Sequence, residues 1–138
     1  MINEENPEIY AEMHLVFDND FDVNMITKFI GIEPSVCMNR KQTTINPLTK
    51  QNNVAFWTIR SKSFNEYDAK YAIEDLVLSI ECKISLIKEI CEKNNGNVIF
   101  TIVPLFYYQN KPAIYFERNF LKIVNELNAE IEVDMYVI

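Results

Sequence analysis

Apolar residues recur every three or four positions between Glu66 and Lys93, and this run is the strongest pattern in the chain. Such spacing places them on one face of an α-helix, which has to be buried against other elements. As a single helix the run would span roughly 40 Å, which is long for a domain of this size, so we expect a kink or break near Ser79–Lys83. Ser63 followed by Glu66 matches a capping box at its start. The residues of the apolar stripe are Ile73, Leu76, Ile80, Ile84, Ile87 and Cys91.

Other segments alternate between apolar and polar residues, which predicts half-buried β-strands. A nearly continuous apolar run predicts an interior strand instead, although Pro104 within it has no amide proton and indicates a bulge or an edge position. The predicted strands are 9–17, 54–61, 98–108, a short one at 113–116, and 130–138.

Two shorter helices are predicted at 23–30 and 119–127. Asp22 is a suitable N-cap for the first, whose buried side would comprise Ile26, Phe29 and Ile30. Gly31 and Asn128 suit the left-handed conformation in which helices commonly end. The whole chain, 1–138, is therefore predicted to be one α+β domain, with a mostly antiparallel sheet of four or five strands and helices packed on one face.

Residues 35–53 form the longest stretch without periodicity, and we predict a long loop there. It carries Arg40, Lys41 and Lys50 and no acidic residue, so its charge is +3 in a chain whose net charge is −7. Long loops in compact domains are uncommon and are often either functional or mobile. We favour a solvated, mobile loop and keep a basic binding site as the alternative.

Composition narrows the classes of function. The chain has 138 residues, 49% of them hydrophobic, and a net charge of −7. This charge disfavours nucleic-acid and membrane-surface binding, and leaves basic proteins and small molecules as partners. No apolar run approaches the roughly 20 residues that span a bilayer, and the acidic N-terminus is unlike a signal peptide. We expect a cytoplasmic protein whose three cysteines, Cys37, Cys82 and Cys91, are reduced.

Four short motifs together suggest a family. They are Phe21-Asp22, Ile30-Gly31-Ile32-Glu33-Pro34-Ser35, Trp57 with Ile59, and Asp134-x-Tyr136-Val137. In their order and spacing the chain resembles the bacterial domain of unknown function 4279 family, over nearly its whole length. The resemblance implies a small α+β domain and supplies no catalytic residue. Relatives often have a Lys-Gly pair in the loop after Pro34, where this chain has Arg40-Lys41-Gln42.

Chemical motifs are scarce, and we predict no catalytic residue, metal site or cofactor. Glycine occurs only at Gly31 and Gly96, which excludes glycine-rich phosphate-binding motifs. His14 is the only histidine, and at an outward strand position we expect it to be a surface residue. Glu132 and Asp134 would project from one face about 7 Å apart. They are better explained as a solvated sheet face than as an acid–base pair.

The sheet face opposite the helices would mix aromatic side chains with charges of both signs, a composition that suits recognition. We therefore expect a non-catalytic protein-binding module, for example an immunity-type protein that neutralises a basic partner. The alternatives are a small-ligand-binding protein or enzyme that uses this face, with His14, Arg60 and Asp134, and a protein that acts as a homodimer. The candidate partner-binding residues are Arg40, Lys41, Lys50, His14, Arg60, Glu132, Asp134 and Tyr136.

Overall fold

A computed structural model describes residues 6–42 and 53–138, and within them the chain forms one mixed sheet with helices packed against it. The strands are β1 (Glu8–Phe17), β2 (Val36–Met38), β3 (Ala55–Arg60), β4 (Asn97–Phe106), β5 (Glu130–Val133) and β6 (Tyr136–Val137). The helices are α1 (Asn24–Ile30), α2 (Lys70–Ile80), α3 (Ile84–Lys93) and α4 (Arg118–Glu126). The α+β prediction is confirmed, with six strands in place of four or five.

The sheet has the order β2-β3-β1-β4-β5, and β6 pairs with β4 beyond the end of β5. Pairing among β1, β2, β3 and β4 is antiparallel, as predicted, whereas β5 and β6 run parallel to β4. The helices cover one face, where alternate residues of the long strands join their apolar side chains in the core. In residues 6–42 and 53–138 the other face carries no helix, and it is called the open face below. In the described part of the chain, no helix is long and apolar enough to cross a membrane.

Pro104 explains why the last predicted strand is split in two. Ile9, which faces Pro104 on β1, directs its own N–H and C=O to Phe64 on its other side, at 2.9 Å each. The missing amide proton of Pro104 therefore lies on the side of β5 and β6. Pairing with β5 ends at Ile102 and pairing with β6 begins at Leu105. β4 is an interior strand, and the predicted edge position holds only locally, where the outer pairing is interrupted beside Pro104.

The long helix is broken where expected. α2 and α3 are separated by a 3₁₀ turn at Glu81–Lys83, and all six residues of the apolar stripe are buried. The predicted capping box is wrong, since the Ser63 hydroxyl donates to Glu8 at 2.7 Å. The helix begins later, at Lys70, whose amide donates to the Asp68 carboxylate at 2.9 Å.

The shorter helices follow the predictions at their C-terminal ends. Gly31 and Asn128 both have left-handed backbone conformations, with φ of 77° and 51°. The helix α1 begins at Asn24, one residue later than predicted, but the Asp22 carboxylate does accept from the first turn, because the Asn24 amide donates to it at 3.1 Å. Phe29 was predicted to be buried and is 41% exposed, since only Ile26 and Ile30 of this helix reach the core.

The segment predicted as a loop at 35–53 contains an ordered edge. Val36–Met38 pairs with β3, and a 3₁₀ turn follows at Arg40–Gln42. Residues 43–52 lie outside the described residues, and with them Lys50. The short strand expected at 113–116 is reduced to one bridge between Ala113 and Asp68. The three cysteines are unpaired, as predicted.

Candidate functional site

Two rows of side chains cross the open face of the sheet. Residues that are paired in register on neighbouring strands project from the same face with Cβ atoms roughly 5 Å apart. The first row runs Arg60, Glu12, Thr101 and Glu132, on β3, β1, β4 and β5 in turn. The second row runs Val36, Thr58, His14 and Ile99. Residues far apart in sequence therefore meet because the two longest strands, β1 and β4, are neighbours.

Glu12 and Arg60 form a charged pair at one end of the first row. The Arg60 Nε and Nη2 atoms lie 2.9 and 2.8 Å from Glu12 Oε2, and the guanidinium stacks over the Tyr10 ring at 4.4 Å. Burial works to raise the pKa of Glu12, but the neighbouring His14 and Arg60 side chains outweigh burial and leave this pKa below its ordinary value. Glu12 is consequently a carboxylate held in place, with its second oxygen turned towards His14.

His14 is buried, which corrects the prediction of a surface histidine. It is only 6% exposed, because strands flank it on both sides and Thr58 and Ile99 stand directly opposite. Its Nδ1 lies 2.8 Å from the Thr58 hydroxyl oxygen. Its Nε2 lies 3.5 Å from Glu12 Oε1 and has no hydrogen-bond partner among the described residues. Nε2 donates or accepts according to the tautomer of the ring.

Thr101 is the second buried polar residue without a partner. It lies at the centre of the first row on β4, between Glu12 and Glu132, and is 3% exposed. Its hydroxyl makes no hydrogen bond within the described part of the chain. Sequence reasoning missed Thr101. The available signal was a polar residue placed between Phe100 and Ile102 in a strand that is otherwise nearly all apolar.

The C-terminal segment supplies the far wall of the site. The Tyr136 hydroxyl donates to the Asp134 carboxylate at 2.9 Å, and this hydrogen bond, with the charge of Asp134, raises the pKa of Tyr136. The predicted alternation of the last strand holds as far as Val133. Beyond it Met135 and Val137, predicted to point inwards, are 60% and 62% exposed.

These side chains enclose a hollow of about 340 Å³ on the open face, which we name the sheet-face pocket. Five of the eight predicted binding residues line it, namely His14, Arg60, Glu132, Asp134 and Tyr136, together with Glu12, Thr58, Thr101, Val36 and Phe56. Arg40 and Lys41, on the 3₁₀ turn, are not among its described lining residues. In the described ranges no group of three or more His, Cys, Asp or Glu residues could hold a metal ion.

A second hollow of about 350 Å³ lies beside α2 and the start of α4. Exposed apolar side chains such as Leu78 and Tyr115 line it. None of its described lining residues carries a buried polar atom that lacks a partner. Specific recognition usually depends on a few convergent polar groups in a concave site, so the sheet-face pocket is the better candidate.

Fold and site together define a small α+β domain with helices on one side of its sheet and a polar pocket on the other. A family model described as "Domain of unknown function (DUF4279)" matches residues 7–138, and the chain belongs to this family. The resemblance drawn from the sequence is thereby confirmed. Neither the curated proteins nor the solved structures include a match to the chain.

Proposed function

We propose that the protein is a binding module that holds a small polar ligand, or the polar group of a larger one, in the sheet-face pocket. One observation carries this proposal. His14 Nε2 and Thr101 Oγ1 are buried, line the same pocket and have no hydrogen-bond partner among the described residues. Their residues lie on the neighbouring strands β1 and β4 and face the same hollow.

The energetic cost of these atoms supports a binding role. A buried polar group without a partner costs roughly 1–3 kcal/mol, and native proteins contain few of them. Two such groups in one hollow are unfavourable for folding and become favourable when a ligand bonds to them. Arg60 and Glu12 already satisfy each other, so they hold the wall of the pocket in place.

Binding is favoured over catalysis by the geometry around His14. The order of side chains resembles a hydrolase triad, with Thr58 in the place of the nucleophile, His14 in that of the base and Glu12 in that of the acid. Glu12 Oε1 lies 3.5 Å from His14 Nε2 and makes no hydrogen bond with it, however, so the acid does not orient the base. The Thr58 hydroxyl instead fixes the orientation of the imidazole ring.

Docking of a basic partner protein, as in an immunity protein that neutralises a toxin, is the second candidate function. The charge of the chain favours it, because a net charge of −7 attracts basic proteins over long distances. A side chain of the partner would then supply the polar group that enters the pocket.

The test is a thermal unfolding screen against small polar compounds that are cationic, neutral or anionic. A compound present at about 100 times its Kd stabilises the protein by about 2.7 kcal/mol, which is readily measured. We expect at least one class to stabilise the wild type and to lose most of its effect on Thr101→Val. If no compound of any class stabilises the wild type, the proposed function is wrong.

A further inference from the structure

Resting on the proposed function, we infer that the group held in the sheet-face pocket is an organic cation, an ammonium or a guanidinium. The described lining residues carry three carboxylates, Glu12, Glu132 and Asp134, against the one guanidinium of Arg60. With His14 counted as neutral, the lining has a surplus of two negative charges.

The surplus resides at one end of the pocket. Glu12 is paired with Arg60, whereas no ion pair joins Glu132 or Asp134 to a cationic side chain in the described ranges. Both are half-buried, which makes an opposite charge beside them more effective than it would be in open water. Asp134 accepts a hydrogen bond from Tyr136, and this bond neutralises no charge. A cation at this end would balance the charge.

The spacing of the partners specifies the ligand further. Thr101 and Glu132 face each other on β4 and β5, so their side chains start roughly 5 Å apart. If Glu132 binds a cationic nitrogen of the ligand, a second polar group of the ligand, two or three bonds from that nitrogen, can reach the Thr101 hydroxyl. The lining also includes the aromatic residues Phe56 and Tyr136, a residue type that attracts cations. Amino alcohols and guanidino compounds have this arrangement.

His14 provides a local probe, because it is the only histidine in the chain. The imidazole nitrogen resonances of the full-length protein can be followed by NMR while ethanolamine, agmatine, glycerol or succinate is added. We expect the two cations to shift the resonances and the neutral and anionic compounds to leave them unchanged. A capped peptide with one arginine distinguishes a protein-borne cation from a free one, since it binds only if the pocket accepts a side chain.

Charge-matched variants on one strand separate a specific site from general attraction. Glu132→Gln removes a charge from the pocket, and Glu130→Gln removes one from an exposed position on the same face of β5, outside the described lining. We expect Glu132→Gln to weaken cation binding at least tenfold and Glu130→Gln to change it less than twofold. Equal effects of the two variants would overturn the inference. Binding of glycerol or succinate in place of the cations would overturn it too while leaving the proposed function intact, whereas no binding by any probe would refute both.

Discussion

The Thr101 hydroxyl has no hydrogen-bond partner in the described part of the chain, so we predict that its removal stabilises the free protein, whereas most substitutions in a protein core destabilise it. Valine has nearly the shape of threonine and lacks the hydroxyl, so Thr101→Val keeps the packing and removes the desolvated group. An unpaired buried polar group costs roughly 1–3 kcal/mol, so we expect the free energy of unfolding to rise by about 1 kcal/mol or more. Ligand binding should weaken in the same variant, because the ligand loses one of its partners.

Thr58→Val is the matched control. Thr58 is equally buried and lies on the same face, but its hydroxyl is bonded to His14 at 2.8 Å. Removing it leaves the imidazole nitrogen unpaired, so the free energy of unfolding should fall by about 1–3 kcal/mol. Urea unfolding followed by the fluorescence of Trp57, the only tryptophan and fully buried, measures both changes. Destabilisation by Thr101→Val comparable to that by Thr58→Val would show that the Thr101 hydroxyl has a partner in solution, and the basis of the proposed function would fail.

Three further predictions concern the core, the charged pair and the thiols. Gly96→Ala should lower the free energy of unfolding in urea by about 1–3 kcal/mol, because the new methyl group would overlap the fully buried ring of Phe17. The same substitution in a Phe17→Leu background should cost much less, and an equal cost in both backgrounds would exclude the clash. Although burial works to raise it, the pKa of Glu12 is held below its ordinary value of 4.5. The contribution of Glu12 to stability is therefore present above about pH 4.5 and is lost as the pH falls through the pKa of the folded state. The difference in stability between wild type and Glu12→Gln should therefore shrink on acidification, and a difference that grows would contradict the assigned sign. Alkylation of the folded protein should label exposed Cys82 first and Cys91 last, since burial raises the pKa of Cys91 to about 12. Mass spectrometry of the peptides gives the order of labelling, and early labelling of Cys91 would show that it lies at the surface.

Much of the fold could be predicted because it depends on local pattern. The spacing of apolar residues located the long helix, since a buried stripe must follow the helical period, and the length of the run indicated the break. Asn128 could be placed in a left-handed conformation from its position after α4. The start of the long helix was less predictable, because the Ser63 hydroxyl donates to Glu8 instead of capping the helix.

The candidate site was predictable only in part. Alternation within β1 and β3 correctly grouped His14 and Arg60 on the face away from the helices. Alternation alone cannot tell whether such a face is open to water, because burial there depends on which strands become neighbours. The placement of β4 beside β1 buries His14 and adds Thr101 to the same surface. No pattern within either strand contains that information.

The lengths of the strands have a consequence for association. Within residues 6–42 and 53–138, the two longest strands, β1 and β4, lie inside the sheet. Its outer strands are short, namely Val36–Met38, Glu130–Val133 and Tyr136–Val137. An unpaired edge strand can pair with a strand of another molecule and so extend the sheet, and a short edge strand limits such pairing. The interruption opposite Pro104 shortens one of these edges further. An acidic protein built in this way resists stacking into fibrils, and a homodimer formed by joining these edges would gain only a few hydrogen bonds.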